Sequence, residues 1–190
     1  MVRQNDWLLI PLKQITSKVG SGATPRGGKK SYKDEGVSLI RSLNVYDFKF
    51  DYDGLAFIDD EQANGLSNVE VRHNDILLNI TGASVARCCI VPDKVLPARV
   101  NQHVAIVRID QNLANPHFVL NVINSPRYKH HLLTLAQGGA TREALTKETI
   151  ENFKVPLPPL KTQRKIAAVL SAYDDLIENN TRRIQILEEM

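Results

Sequence analysis

A glycine-rich segment near the N-terminus carries the residues best suited to phosphate chemistry. Its four basic residues are Arg26, Lys29, Lys30 and Lys33, and no acidic residue follows Arg26 before Asp34. Basic side chains and the exposed amides of such a loop can together hold the phosphate oxygens of a nucleic acid. We therefore predict phosphate contacts for Arg26, Lys29 and Lys30. The alternative is a loop that is only solvated.

A second set of polar residues stands at the ends of predicted strands, from which side chains could reach base edges. Arginine pairs naturally with guanine, whereas asparagine and glutamine pair with adenine. The residues that we predict to contact bases or the DNA backbone are Thr24, Arg41, Asn44, Thr81, Arg87, Thr141 and Arg142. Asn79, Asn101 and Gln102 occupy similar positions. Each residue of this set could instead form a turn or a hydrogen bond at a strand end.

No pattern in the sequence predicts catalysis. The five histidines lack metal-ligand spacing with cysteines or carboxylates, and neither Gly-x-Ser-x-Gly nor Cys-x-x-Cys occurs. Residues 22–30 (GATPRGGKK) have Gly28 where a phosphate-binding loop requires lysine. Residues 157–160 (LPPL) lack the acceptor and the aromatic ring of an amino-methyltransferase motif. We therefore predict a chain without catalytic residues, metal or cofactor.

The composition is that of a folded globular protein. The 190 residues are 43% hydrophobic and 24% charged, with a net charge of +3. Neither a secretory signal nor an apolar run of about 18 residues occurs, which predicts a cytoplasmic protein without membrane contact. The adjacent Cys88 and Cys89 lie in an apolar run, so we predict two buried thiols and no disulfide.

The elements that must position these residues are predicted from periodicity and breakers. Apolar, β-branched runs predict strands at residues 37–43, 76–80, 85–91 and 104–109. Helical spacing covers residues 116–125 and 127–136, with Pro116 and Pro126 suited to first turns. Long polar connections, at 20–34 and 59–74, are expected to carry binding surfaces. Residues 1–154 are therefore predicted to form a mixed α/β (α+β) domain.

The C-terminal segment has a different pattern. Residues 155–160 (VPLPPL) contain three prolines and predict a stiff connector that holds the next helix away from the domain. Residues 161–190 lack Gly and Pro, carry no net charge, and repeat apolar residues at alternating steps of four and three. The seam residues are Ile166, Leu170, Tyr173, Ile177, Asn180, Ile184 and Leu187. We predict a long coiled-coil helix; packing on its own domain is the alternative.

Taken in order, several motifs together resemble the DNA-specificity subunit of type I restriction-modification systems. They are 21–25 (SGATP), 39–45 (LIRSLNV), 74–82 (NDILLNITG), 101–104 (NQHV), 138–142 (GGATR), 153–160 (FKVPLPPL), Gln163 and 186–190 (ILEEM). The resemblance implies a target-recognition domain at 1–154, a connector at 155–160 and a conserved spacer helix at 161–190. Since a full subunit of that family has two such units, this chain resembles a half-subunit.

The same resemblance implies sequence-specific recognition of double-stranded DNA, which directs methylation and cleavage by partner modification and restriction subunits. S-adenosylmethionine, ATP and Mg²⁺ would belong to those partners. A half-subunit is expected to form a homodimer through antiparallel C-terminal helices and to recognise a split palindromic target. The alternatives are an inactive truncated specificity fragment, a protein-only coiled-coil interaction module and a stand-alone DNA-modifying enzyme.

Overall fold

The computed structural model describes residues 7–25, 27–138 and 144–189, without the side chains of Lys29, Asp175 and Glu178. Strands and helices alternate irregularly along this part of the chain, as predicted for a mixed α/β domain. The elements are β1 (Leu9–Pro11), β2 (Thr16–Ser21), β3 (Val37–Ile40), β4 (Ala56–Ile58), α1 (Asp60–Gly65), β5 (Glu70–Val71), β6 (Ile76–Asn79), β7 (Cys88–Ile90), β8 (Ala98–Val100), β9 (Val104–Ile109), α2 (Pro116–Asn124), α3 (Pro126–Gln137), α4 (Lys147–Asn152), β10 (Lys154–Pro156) and α5 (Leu160–Glu188).

An antiparallel sheet of order β2-β9-β6-β7 forms the middle layer of the domain. Its strands send alternate side chains into two different cores. In β6, Ile76 and Leu78 contact one core, whereas Leu77 contacts the other. Because both faces are covered there, β6, β7 and β9 are apolar at nearly every position and show no alternation with polar residues, whereas the edge strand β2 is mostly polar.

Two outer layers cover this sheet. On one side, α2, α3 and α4 contribute Phe118, Leu132 and Ile150 to the core that contains Ile76. On the other side lies a mixed sheet of order β4-β3-β8-β5, in which only β3 and β8 run parallel. The domain therefore has three layers, and the ends of the central strands are left at the surface.

Two of the predicted strands are shorter than expected by three or more residues, and one predicted loop contains regular structure. The run 37–43 ends as a strand at Ile40, because a 3₁₀ turn follows at Ser42–Asn44. The run 85–91 becomes a strand only at Cys88, since Ala86 adopts a positive φ of 68°. The region 59–74 contains α1 and β5. By contrast, β9 matches its prediction and α2 begins at Pro116 as predicted, while α3 begins at Pro126, one residue before its predicted range.

The helix α5 begins on the domain, so the prediction of a connector that holds it away is wrong. Lys154–Pro156 forms β10, which pairs with β1, and Val155 is fully buried. The buried Gln163 amide accepts a hydrogen bond from Asn115 N at 2.9 Å and donates one to Pro158 O at 2.7 Å. These bonds fasten the first turns of α5 beside α2. No helix in the described ranges is long and apolar enough to cross a bilayer.

The two cysteines are free and buried, as predicted. Burial raises the pKa of the Cys88 thiol to about 12 and raises that of Cys89 as well. Since the thiolate is the reactive species, we expect native protein at pH 8 to react negligibly with Ellman's reagent. Both thiols should react after unfolding in guanidinium chloride. Rapid labelling of the native protein would contradict this placement.

Candidate nucleic-acid interface

An open cleft of about 480 Å³ lies at the end of the central sheet where β6 stops and β9 starts. The turn between β6 and β7 forms one wall, and the loop after β3 forms another. The lining residues are Ser42, Leu43, Tyr46, Thr81, Gly82, Ala83, Ser84, Arg87 and His103. The structure thus brings Thr81 and Arg87, both predicted contacts, into one site, and it adds Tyr46 and His103, which the sequence analysis did not select.

A chain of polar side chains connects this cleft with the glycine-rich loop. Thr81 Oγ1 lies 2.6 Å from His103 Nδ1, and Gln102 Nε2 lies 3.2 Å from His103 Nε2. The Thr24 hydroxyl donates to Gln102 Oε1. His103 thus contacts Gln102 through one ring nitrogen and Thr81 through the other, so its side chain lies between the glycine-rich loop and the cleft.

The glycine-rich loop is held against the segment that precedes β9. Gly22 N donates to Asn101 O at 3.1 Å, and residues 28–31 form a 3₁₀ turn. Lys30 is exposed, whereas Lys33 pairs with Asp59 at 3.5 Å. Arg26 lies outside the described residues, as do Thr141 and Arg142. Lys30 is therefore the predicted phosphate contact whose side chain the structure places at the surface.

The two predicted arginines differ in what their guanidinium groups contact. Arg87 stacks on Tyr46, with 4.8 Å between the guanidinium carbon and the ring centroid. Arg41 stacks on Tyr32 at 5.3 Å, but its Nη2 also donates to Gly54 O. Arg41 thus uses one of its donors in a bond to the loop that follows β3, whereas Arg87 lines the cleft.

The prediction of Asn44 as a direct DNA contact is wrong, because its side chain is fully buried. Its Oδ1 accepts from Arg41 N at 3.1 Å, and its Nδ2 donates to Asp51 O at 3.0 Å. Asn79 is also fully buried, and its Nδ2 donates to Ser42 O at 2.9 Å. Both amides shape the loop after β3. The residue type shows that an amide can pair with adenine, but it does not show whether the amide is accessible.

A lysine far away in the sequence connects the two walls of the cleft. Lys129 Nζ, on α3, donates to Asp47 Oδ1 at 2.5 Å, to Asn124 Oδ1 at 3.1 Å and to Ala86 O. Asp47 follows Tyr46, and Ala86 precedes Arg87. No local pattern marks Lys129, because its partners come together only in the folded domain.

The seam predicted for α5 divides into two parts. Ile166 and Leu170 are half-buried, and Ile166 packs against the core that lies between the central sheet and helices α2, α3 and α4. The remaining seam residues, from the middle of the helix onward, are exposed: Tyr173, Ile177, Asn180, Ile184 and Leu187. A solvated apolar stripe on a helix that projects beyond its domain is a candidate surface for a second helix.

The cleft offers a stacked guanidinium, a hydroxyl group and an exposed aromatic ring. Among the described residues, no group of three or more His, Cys, Asp or Glu side chains could hold a metal ion. The model of the type I restriction modification DNA specificity domain matches residues 5–189. The chain belongs to this family.

Curated members of the specificity family show the same relationship. The type I restriction enzyme MjaIX specificity subunit of Methanocaldococcus jannaschii is 26% identical over 201 aligned residues, which cover 97% of this chain and 42% of that subunit. The EcoBI specificity subunit of Escherichia coli is 32% identical over 149 residues, which cover 76% of this chain and 30% of that subunit. The chain thus spans less than half the length of these relatives.

Solved structures of specificity subunits share this fold. The HsdS subunit from Thermoanaerobacter tengcongensis superposes with a TM-score of 0.68 at 18% identity, covering 94% of this chain and 45% of that one. The S subunit from M. genitalium gives a TM-score of 0.66 at 14% identity, covering 98% and 44%. The specificity domain described here therefore corresponds in fold to one portion of those longer chains.

Proposed function

We propose that this chain recognises a double-stranded DNA sequence as the specificity component of a type I restriction-modification complex. The family match over residues 5–189 carries this proposal. Partner modification and restriction subunits would methylate and cleave the DNA, and S-adenosylmethionine, ATP and Mg²⁺ would bind to them. The match to the specificity-domain family supports this division of labour.

The cleft and the glycine-rich loop form the proposed DNA-binding surface. Lys30, together with Lys29 and Arg26, contacts phosphates, which positions the protein without reading sequence. Thr81 and Arg87 contact base edges, and Thr24 supports the cleft through Gln102 and His103. Thr141 and Arg142 remain predicted contacts. The net charge of +3 lies wholly in residues 1–160, which include this surface.

The proposal is tested by sequencing DNA methylation genome-wide in cells that co-express this chain with its cognate modification subunit. Cells that express the modification subunit alone are the control. We expect a new interrupted motif that is methylated only when this chain is present, and a symmetric motif if two copies act together. A purified complex of the two proteins that methylates no new motif would contradict the proposal.

The exposed half of α5 is proposed to pair with the same helix of a second copy in antiparallel orientation. An antiparallel pair would place two recognition domains at opposite ends of a helical spacer. The heptad spacing of Tyr173, Ile177, Asn180, Ile184 and Leu187 supports this arrangement, since Asn at one seam position sets register in coiled coils.

We expect Ile177→Asp combined with Ile184→Asp to convert dimers into monomers in light scattering coupled to size exclusion. Two carboxylates in an apolar seam would be desolvated without partners. Both side chains are exposed in the single chain, at 62% and 55%, so the melting temperature of the domain should stay unchanged. Asn179→Asp, an exposed position outside the seam, is the control. An unaffected dimer, or a monomeric wild type, would overturn the proposed pairing.

A further inference from the structure

We propose that Arg87 reads a guanine in the major groove and that Tyr46 and Lys129 are positioning residues for it. This inference rests on the proposed DNA-recognition function and assigns a base to one of its residues. Three features carry it: the backbone that presents Arg87, the ring on which its guanidinium lies, and the lysine that connects their two loops.

A bulge in the hairpin between β6 and β7 presents Arg87 to the cleft. Ala86 N donates to Asn79 O at 2.8 Å, and Asn79 N donates to Arg87 O at 2.9 Å. Two residues of the second strand therefore oppose one residue of the first. Ala86 has a positive φ of 68°, as the first residue of a G1 bulge does, a position that glycine usually occupies. Bulges redirect the side chain that follows, and Arg87 lines the cleft.

The guanidinium of Arg87 is positioned by stacking on an aromatic ring. It lies 4.8 Å from the centroid of Tyr46, a contact that restrains the plane of the fork. In the part of the chain that the structure describes, no hydrogen-bond acceptor or carboxylate contacts this guanidinium. Its donors are thus free to pair with both O6 and N7 of guanine. Arg41 provides the contrast, since its fork already donates to Gly54 O.

Lys129 holds the ring and the arginine at a fixed separation. Its side chain is only 16% exposed, and it donates to Asp47, beside Tyr46, and to Ala86 O, beside Arg87. Asp47 Oδ1 also accepts from Cys88 N at 3.2 Å. The two loops that form the walls of the cleft are thereby tied together behind the stacked pair. We therefore expect Lys129 to act on base reading without touching DNA.

The test is selection from a library of randomised DNA duplexes by the full chain in complex with its modification subunit. We expect Arg87→Ala to lose preference for guanine at one position of the motif, or at one position of each half-site, by about 10- to 100-fold. Arg87→Lys should lose it as well, because an ammonium cannot form the bidentate pair. Arg127→Ala removes an arginine stacked on Tyr128 at 6.0 Å that does not line the cleft, and it should leave the motif unchanged.

The positioning residues are tested at the same position of the motif. Tyr46→Phe keeps the ring face and should keep the guanine preference, whereas Tyr46→Leu should reduce it about 5- to 10-fold without changing the other positions. Because Tyr46 is 40% exposed, neither variant should unfold the domain. Lys129→Met should reduce the same preference, and melting temperatures would identify a loss caused by unfolding.

Three outcomes would overturn the assignment. An unchanged motif for Arg87→Ala would show that Arg87 reads no base. A uniform loss of affinity for all sequences, with a shallower salt dependence, would make Arg87 a phosphate contact. A wild-type complex that selects no motif would refute the proposed function itself, and the base assignment with it.

Discussion

Asp75→Ala is expected to lower the free energy of unfolding by about 3–5 kcal/mol. The Asp75 side chain is fully buried and accepts from Arg108 Nε at 2.8 Å, from Arg108 Nη2 at 2.7 Å and from Arg72 N at 2.7 Å. Without the carboxylate, the Arg108 guanidinium would remain largely buried without its charge partner. Urea unfolding followed by circular dichroism measures the loss.

Glu70→Ala is the matched control for Asp75→Ala. Glu70 also pairs with an arginine, Arg72, but at 3.4 Å and with both side chains well exposed. Exposed ion pairs contribute about 1 kcal/mol or less, so this variant should unfold nearly as the wild type does. Equal losses for the two variants would show that the buried pair does not stabilise the fold as argued.

Gly22→Ala is expected to cost roughly 3 kcal/mol or more and to detach the glycine-rich loop from the cleft. A Cβ at this position would lie 1.6 Å from Val100 O and 2.6 Å from Val100 C, so the backbone itself must separate. The hydrogen bond from Gly22 N to Asn101 O and the contact of Thr24 with Gln102 would be lost with it. We expect lower stability in urea and weaker DNA binding in titrations.

Gly20→Ala separates this clash from a general effect of alanine. Gly20 lies in β2, and a Cβ there would meet no atom within 4 Å. Alanine in a strand restricts the unfolded chain more than glycine does, so this variant should be as stable as the wild type or slightly more stable. A Gly22→Ala protein as stable as Gly20→Ala would refute the close approach to Val100.

Local signals predict the elements that have strong boundaries. Pro116 and Pro126 fix the starts of two helices, and the apolar run at 104–109 becomes β9 without change. The pairing of β1 with β10 has no local signal, because it joins residues 9–11 to residues 154–156. It is this pairing that turns the predicted connector into part of the domain.

The site shows the same division between local chemistry and tertiary context. Arg87 and Thr81 were predicted from their types and positions, and the structure places both in the cleft. Asn44 has equally suitable chemistry but is buried. His103 belongs to the quoted motif 101–104, so a signal for it was present in the sequence. Lys129 had none, since its partners at residues 47 and 86 are distant in the chain.

The double covering of the central sheet has a consequence for how the domain tolerates mutation. A sheet with one solvent-exposed face accepts polar substitutions at every second residue. By contrast, β6 and β9 contribute side chains to cores on both faces. A comprehensive substitution scan should therefore show intolerance at consecutive positions in these strands, without a two-residue period. Permissive positions should begin abruptly at Ala83 and Ser84 in the turn after β6, whereas the positive φ of 71° at Gly82 strains any side chain there. New surface variants can therefore arise at residues 83 and 84 without a change in either core.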